Sequence, residues 1–162
     1  AGISGGGVSV ATEEYDGSSW TNGGNIGTAK TNVAGAGTQT AGLMFGGLVP
    51  PSSAQNNTQE YNGTAWTDGG NLNTARQQLA GCGLQTLALA FGGSVPALKA
   101  ETEAYDGTSW TEVADLATAR RFLGGAGTQT LALGFGGYTA PMTAATEEFT
   151  VPEVIIKTVT DS

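Results

Sequence analysis

Short stretches of the chain alternate large apolar residues with small ones, which is the pattern of a β-strand. In "TLALAFGG", residues 86–93, Leu87, Leu89 and Phe91 fall on one side and two alanines fall on the other. A period of two residues is typical of a strand whose two faces meet different neighbours. Large side chains on one face and small ones on the other suit sheets that stack face to face. No stretch of useful length has helical spacing, so the pattern predicts an all-β protein.

The same strand occurs three times, and the rest of its surroundings repeat with it. The chain reads "TAGLMFGG" at 40–47 and "TLALGFGG" at 130–137, while Trp20, Trp66 and Trp110 lie 46 and 44 residues apart. A fixed period of this length indicates a repeat architecture in which each unit is one supersecondary element. Each unit predicts four short strands, written in one unit as "QQLAGCG", "TLALAFGG", "TEAYDG" and "SWTEV".

Glycines stand at fixed places in the repeat, and each place predicts a backbone requirement. Asp-Gly or Asn-Gly pairs at 16–17, 62–63 and 106–107 separate strand three from strand four. Such pairs favour tight turns in which both central residues have positive φ. Strand one is almost bare of side chains, which predicts a place where backbones crowd, such as the axis of a radial array. In Phe-Gly-Gly, the phenylalanine is expected to anchor strand two and the glycines to redirect the chain.

Length and charge limit the partners that the chain can have. Its 162 residues fit one domain, taken here as 1–162. With six Lys and Arg and a net charge of −8, it has few cations to cluster against phosphate groups. No apolar run approaches the roughly 18 residues that a membrane helix needs, and no signal peptide is visible. We therefore expect neither nucleic acid nor a membrane as a partner.

The residue types that carry most metal and acyl-transfer chemistry are scarce. The chain has no histidine and one cysteine, Cys82, which stands where the other copies have alanine and is expected to be a small buried residue. Zinc and copper sites and histidine-based nucleophilic catalysis therefore lack their usual residues. Acid pairs such as Glu13–Glu14 are neighbours on a strand and point to opposite faces, so they cannot flank one sugar. We expect no metal, no cofactor and no enzymatic activity.

Three of the six basic residues occupy one repeat position, namely Lys30, Arg76 and Arg120. Repetition at one place favours a structural role over ligand binding. The sequence predicts a pairing of this position with an acid of the repeat, such as Glu60 or Glu103.

The loops that follow strand two differ strongly between copies, whereas the turns at the opposite end are nearly uniform. They read "LVPPSSAQNN", "SVPALKA" and "YTAPMTAA", against "GTQT", "GLQT" and "GTQT" after strand one. Such variation is typical of unconstrained loops, and also of a surface that contacts a partner. If this surface binds a ligand, the candidate residues are Asn56, Asn57, Lys99, Arg121 and Tyr138.

The segments "TAR", "LAG", "TLALAFGG" and "TEAYDGTSW", taken in this order, resemble the kelch repeat. The resemblance covers about residues 1–150 and implies a β-propeller with four-stranded blades, as in galactose oxidase-like propellers. It implies an incomplete blade at about 1–24 and three full blades at about 28–68, 74–112 and 118–160. The composition, rich in Gly, Thr and Asn, also resembles that of kelch-like repeats in marine phage tail and fibre proteins. This resemblance implies an extracellular or virion location.

Three full blades are fewer than kelch propellers generally have, so the ring needs completion. Two copies could pair as a homodimer, the chain could belong to a longer propeller, or four blades could close with "EVIIKTVT" (153–160) as the last strand. We favour pairing, because an open arc exposes apolar sheet faces.

The expected function is non-catalytic recognition or surface assembly, with a glycan or a surface protein as ligand. One alternative is a fragment of a carbohydrate-active hydrolase or oxidase, which would need acids converging from different blades, such as Asp68 and Asp115. A second alternative is an intracellular kelch adaptor domain.

Overall fold

A computed structural model describes residues 2–4 and 7–151, and every regular element in this part of the chain is a β-strand. The all-β prediction is therefore confirmed. The strands, in chain order, are β1 (Gly2–Ser4), β2 (Gly7–Ser9), β3 (Glu13–Tyr15), β4 (Trp20–Asn22), β5 (Ala34–Thr38), β6 (Ala41–Phe45), β7 (Leu48–Val49), β8 (Ser53–Ala54), β9 (Thr58–Tyr61), β10 (Trp66–Asp68), β11 (Ala80–Leu84), β12 (Leu87–Phe91), β13 (Ser94–Val95), β14 (Ala97–Leu98), β15 (Thr102–Tyr105), β16 (Trp110–Glu112), β17 (Gly124–Gly127), β18 (Leu131–Phe135) and β19 (Thr146–Thr150).

Two of the repeat units form four-stranded antiparallel sheets whose spatial order follows the chain. One sheet has the order β5-β6-β9-β10 and the next has β11-β12-β15-β16. The last unit forms a three-stranded sheet, β17-β18-β19, and the incomplete unit at the start of the sequence contributes the hairpins β1-β2 and β3-β4. The closing strand that the sequence predicts at 153–160 lies outside the described residues. Two units therefore form the predicted meander of four short strands, and the last unit shows three strands among the described residues.

The sheets stack through the alternation of large and small residues along strand two. Phe45 and Phe91 lie on the faces turned toward the following sheet and are 0% and 3% exposed. Strands β5, β11 and β17 lie side by side where the sheets meet. A Cβ atom on Gly81 would lie 2.4 Å from Cζ of Phe45 and 3.1 Å from the carbonyl oxygen of Gly35. The predicted crowding of strand one is therefore present, and glycine leaves the space that the phenylalanine ring fills.

The second glycine of Phe-Gly-Gly is required by backbone direction and by space. Gly47 has φ of 97°, and its amide donates to the carbonyl of Arg76 in the next sheet at 2.8 Å. A Cβ atom there would lie 2.6 Å from Cγ1 of Val33. A side chain at this position would break a connection between sheets.

The turns between strands three and four differ from the predicted type. Among their Asx-Gly pairs only the glycines, such as Gly107, have positive φ. Oδ1 of Asp106 instead accepts hydrogen bonds from the amides of Thr108 and Ser109, both at 2.8 Å. The prediction of positive φ at both central residues was wrong because the loop has four residues, which an aspartate side chain can close by itself.

Glutamines in the turns after strand one fasten each sheet to the one before it. Nε2 of Gln85 donates to the carbonyls of Gly42 and Tyr61 in the preceding sheet, at 3.0 and 2.7 Å. Gln129 repeats this arrangement one sheet later. These bonds join consecutive units from side chain to backbone.

A buried ion pair lies inside the stack. Nη2 of Arg76 donates to Oε1 of Glu103 at 2.7 Å, and the two side chains are 0% and 1% exposed. Burial lowers the pKa of the Arg76 guanidinium, and the charge of Glu103 opposes that shift. The same pair recurs one unit later between Arg120 and Glu147. The predicted pairing with Glu103 is confirmed.

The pairing proposed for Glu60 is wrong. Its carboxylate accepts a hydrogen bond from the Tyr105 hydroxyl of the following sheet at 2.6 Å. Burial first, and this bond second, raise the pKa of Tyr105 to about 12. Glu60 therefore joins two sheets.

Candidate ligand-binding surface

The variable loops after strand two lie against the segment that precedes strand one. Isolated β-bridges join Thr31 to Leu48, Gln77 to Ser94 and Arg121 to Tyr138. In the two units that form four-stranded sheets, this loop is a small hairpin, β7-β8 in one unit and β13-β14 in the other. The bridges therefore bring the variable residues of each unit onto one surface.

Three residues of this surface share a strained backbone conformation at the same repeat position. Asn32, Gln78 and Phe122 have φ of 55°, 59° and 56°. Hydrogen bonds link them from unit to unit. The amide of Gln78 donates to the carbonyl of Asn32 at 3.0 Å, and the amide of Phe122 donates to the carbonyl of Gln78 at 2.8 Å. Non-glycine residues in this region cost free energy and concentrate at ligand clamps.

Sequence reasoning missed these three residues, although a signal was present. The surrounding segments read "KTNV", "RQQL" and "RRFL", so an amide, an amide and a phenylalanine alternate at a position whose neighbours repeat. Positive φ cannot be inferred for glutamine or phenylalanine from residue type, because these residues adopt it rarely.

The guanidinium of Arg121 lies over two aromatic rings on this surface. Its Cζ atom is 5.3 Å from the ring centre of Phe122 and 5.0 Å from that of Tyr138. Nη1 reaches Oε1 of Gln78 at 3.4 Å, and that oxygen also accepts from the Ser94 hydroxyl at 3.0 Å. Nε of Arg121 is buried and has no hydrogen-bond partner among the described residues. The guanidinium therefore has neighbours that fix its position, and its Nε–H group has no acceptor among the described residues.

Exposed apolar side chains occur on the same segments as the arginine and its tyrosine partner. Phe122 is 56% exposed and Met142 is 73% exposed, and Met142 forms a β-bridge with Tyr138. In the preceding units, Nδ2 of Asn32 donates to Oε1 of Gln77 at 3.1 Å. The surface therefore offers ring faces, amides and a guanidinium, a combination that suits a polar ligand with apolar faces.

Two of the five predicted site residues contact each other, and the side chains of the other three have partners within the protein. Arg121 and Tyr138 are in contact, as described above. Asn56 is half-buried and donates from Nδ2 to the Leu72 carbonyl at 3.1 Å. Nζ of Lys99 donates to Oε1 of Glu101 at 2.7 Å, and both side chains are about a quarter exposed, at 26% and 29%.

Asn57 has a partner inside the protein. Its Oδ1 accepts from Nζ of Lys30 at 2.7 Å, and Lys30 is fully buried. This bond occupies the place of the arginine and glutamate pairs in the later units. Burial lowers the pKa of Lys30 to about 8, and the charge of Asp68 opposes that shift.

We expect stability to rise with pH because of Lys30. In the unfolded chain a lysine titrates near a pKa of about 10.4. Between pH 8 and that value the unfolded chain binds more protons than the folded protein, so stability increases as pH rises through this window. Urea unfolding at pH 7 and pH 9 should show a gain for the wild type that Lys30→Met lacks. An equal pH dependence in both proteins would contradict the assignment.

The carboxylates named for a catalytic role have structural partners. Oδ1 of Asp68 accepts from Nε2 of Gln59 at 3.0 Å, and Oδ1 of Asp115 accepts from the Thr102 amide at 3.0 Å. The described residues contain no group of three or more His, Cys, Asp or Glu side chains able to hold a metal ion. Within the same residues, no helix is long and apolar enough to cross a membrane.

Comparison with known proteins gives no relative: no protein-family model matches the chain, and no curated protein matches it.

Proposed function

We propose that the chain is a non-catalytic recognition module whose sheets are blades of a kelch-like β-propeller. The repeated meanders, the contact among β5, β11 and β17, and the glycines that admit a neighbouring phenylalanine support the blade interpretation. Units of about 44 residues, each a four-stranded sheet, are the composition of such blades. The resemblance to phage tail and fibre repeats favours a role at a virion or cell surface.

The ligand surface is the one built around Arg121. The observation that carries this proposal is a guanidinium that lies over the rings of both Phe122 and Tyr138, beside backbone strained at three equivalent positions. Rigid aromatic and arginine side chains with little freedom to lose are the residues that dominate binding surfaces. We propose a glycan as the ligand, since its apolar ring faces match the aromatic rings and its hydroxyl groups match the amides.

A glycan array followed by calorimetric titration of the best hit tests this proposal. Arg121→Ala and Tyr138→Ala should each cost about 1–2 kcal/mol, or a 5- to 30-fold loss of affinity. Lys99→Ala is the matched control, because it removes a loop cation that already has a carboxylate partner. An array without hits contradicts the glycan, and a hit that both variants bind normally contradicts the site.

A further inference from the structure

We propose that copies of this chain associate head to tail, with the hairpin β3-β4 of one copy covering the outer face of β17-β18-β19 of another. The proposal goes beyond ligand recognition, because it concerns the two ends of the stack and needs no ligand. It follows from contacts that each sheet already makes with the next.

Both ends of the stack expose apolar side chains that are buried elsewhere in the repeat. On the last sheet Leu133 is 40% and Phe135 is 44% exposed, whereas Phe45, at the position of Phe135 in the first full unit, is fully buried. On the hairpin β3-β4, Tyr15 is 48% exposed and Trp20 is 66% exposed. Paired apolar surfaces of this kind indicate an interface.

Tryptophans on strand four contact the residues that precede their own sheet through a hydrogen bond and, for Trp110, also through an aromatic ring. Equivalent residues are exposed at the two ends of the described sheets. Trp110 lies edge-on to Phe45 with ring centres 4.9 Å apart, and its Nε1 donates to Oγ1 of Thr58 at 2.9 Å. Trp66 donates in the same way to Thr12 at 2.9 Å. Among the described residues, the equivalent groups without such a partner are Trp20 on the hairpin β3-β4 and, on the last sheet, Phe135 and the exposed Thr146.

A tyrosine hydroxyl on strand three meets a glutamate of the preceding sheet wherever both are present. Tyr61 donates to Glu14, and Tyr105 donates to Glu60. At the next junction alanine and phenylalanine occupy these two positions, and both Ala104 and Phe149 pack against one apolar cluster.

The remaining members of this series are Glu148, which is exposed at the end of the stack, and Tyr15 at its beginning. The hydroxyl of Tyr15 donates to the carbonyl of its own Gly17 at 2.8 Å. We infer that a second copy provides the missing partner, so that Tyr15 of one chain meets Glu148 of the other. All three pairings, Tyr15 with Glu148, Trp20 with Thr146 and Trp20 with Phe135, then form across one junction.

This junction uses different surfaces on the two copies. A contact of that kind closes into a ring if its rotation permits and otherwise continues as a chain. A ring of two copies agrees with the homodimer expected from the number of repeat units. A single junction would leave the hairpin of one copy and the last sheet of the other uncovered.

Light scattering after size-exclusion chromatography tests the proposal over a concentration series. The wild type should form a dimer or larger assembly, and Trp20→Asp and Phe135→Asp should each give a monomer with unchanged circular dichroism. Both positions are exposed, so the substitutions leave the interior of the sheets intact. Leu84→Asp is the control, since Leu84 is 56% exposed but is the last residue of β11, in a middle sheet of the stack.

An equimolar mixture of the two monomeric variants separates a head-to-tail contact from other arrangements. Trp20→Asp keeps an intact last sheet and Phe135→Asp keeps an intact hairpin, so the mixture should form a dimer with one copy of each variant. A wild type that stays monomeric, a Trp20→Asp variant that associates like the wild type, or a mixture that stays monomeric would overturn the proposal. None of these results depends on glycan binding.

Discussion

Replacing Glu103 with alanine should lower the free energy of unfolding by about 3–5 kcal/mol, because it leaves the Arg76 cation buried without a counter-charge. The pair is 2.7 Å apart and both side chains are at most 1% exposed. Glu103 also accepts from the amide and the side-chain nitrogen of Asn73 through Oε2, at 2.7 and 2.9 Å. Urea unfolding followed by tryptophan fluorescence measures the loss.

Glu101→Ala provides the control for this experiment. Glu101 lies two residues away and pairs with Lys99, but that pair is partly exposed to solvent. Exposed pairs contribute about 0–1 kcal/mol. Equal losses for the two alanine variants would show that the buried pair has no special role in stability.

The second large effect is expected for Phe45→Ala, which should cost about 3–5 kcal/mol. The ring is fully buried, fits against Gly81 and lies edge-on to Trp110, so its removal leaves a cavity between two sheets. Equilibrium unfolding in a Trp20→Asp background measures the loss without a contribution from association.

Phe135→Ala is the matched control in that background, because it changes the same repeat position on a face that is partly open to solvent. Phe135 is 44% exposed, so its truncation removes less buried area and leaves no enclosed cavity. A loss for Phe45→Ala no larger than that for Phe135→Ala would contradict the packing described between the sheets.

The sequence was sufficient for the four main strands of a unit and for their order, but not for the short hairpins β7-β8 and β13-β14. Alternation along "TLALAFGG" predicted which side of β12 is large, and Leu89 and Phe91 are buried on that side. The bareness of strand one predicted crowding, which Gly81 shows against Phe45. These features depend on local periodicity and side-chain size, both of which can be read directly from residue types.

The sequence was insufficient where conformation depends on neighbouring sheets. The amides of Gln78 and Phe122 donate to carbonyls of the preceding unit, and neither these bonds nor the positive φ of the two residues can be inferred from residue type. For the same reason Asn57, which looked like a loop residue available to a ligand, was not recognised as the partner of buried Lys30. Arg121 and Tyr138 were proposed as site residues because each departs from an otherwise regular repeat, and the structure places them in contact.

The glutamine side chains that reach back from Gln85 and Gln129 have a consequence for how such chains grow. Each donates hydrogen bonds to two carbonyls of the unit before it, and the acceptors occupy equivalent repeat positions at both junctions. A duplicated unit inserted between two others would therefore find its acceptors on one side and supply acceptors on the other. Gene duplication can therefore lengthen this protein one unit at a time, because each added unit forms the same hydrogen bonds with its neighbours.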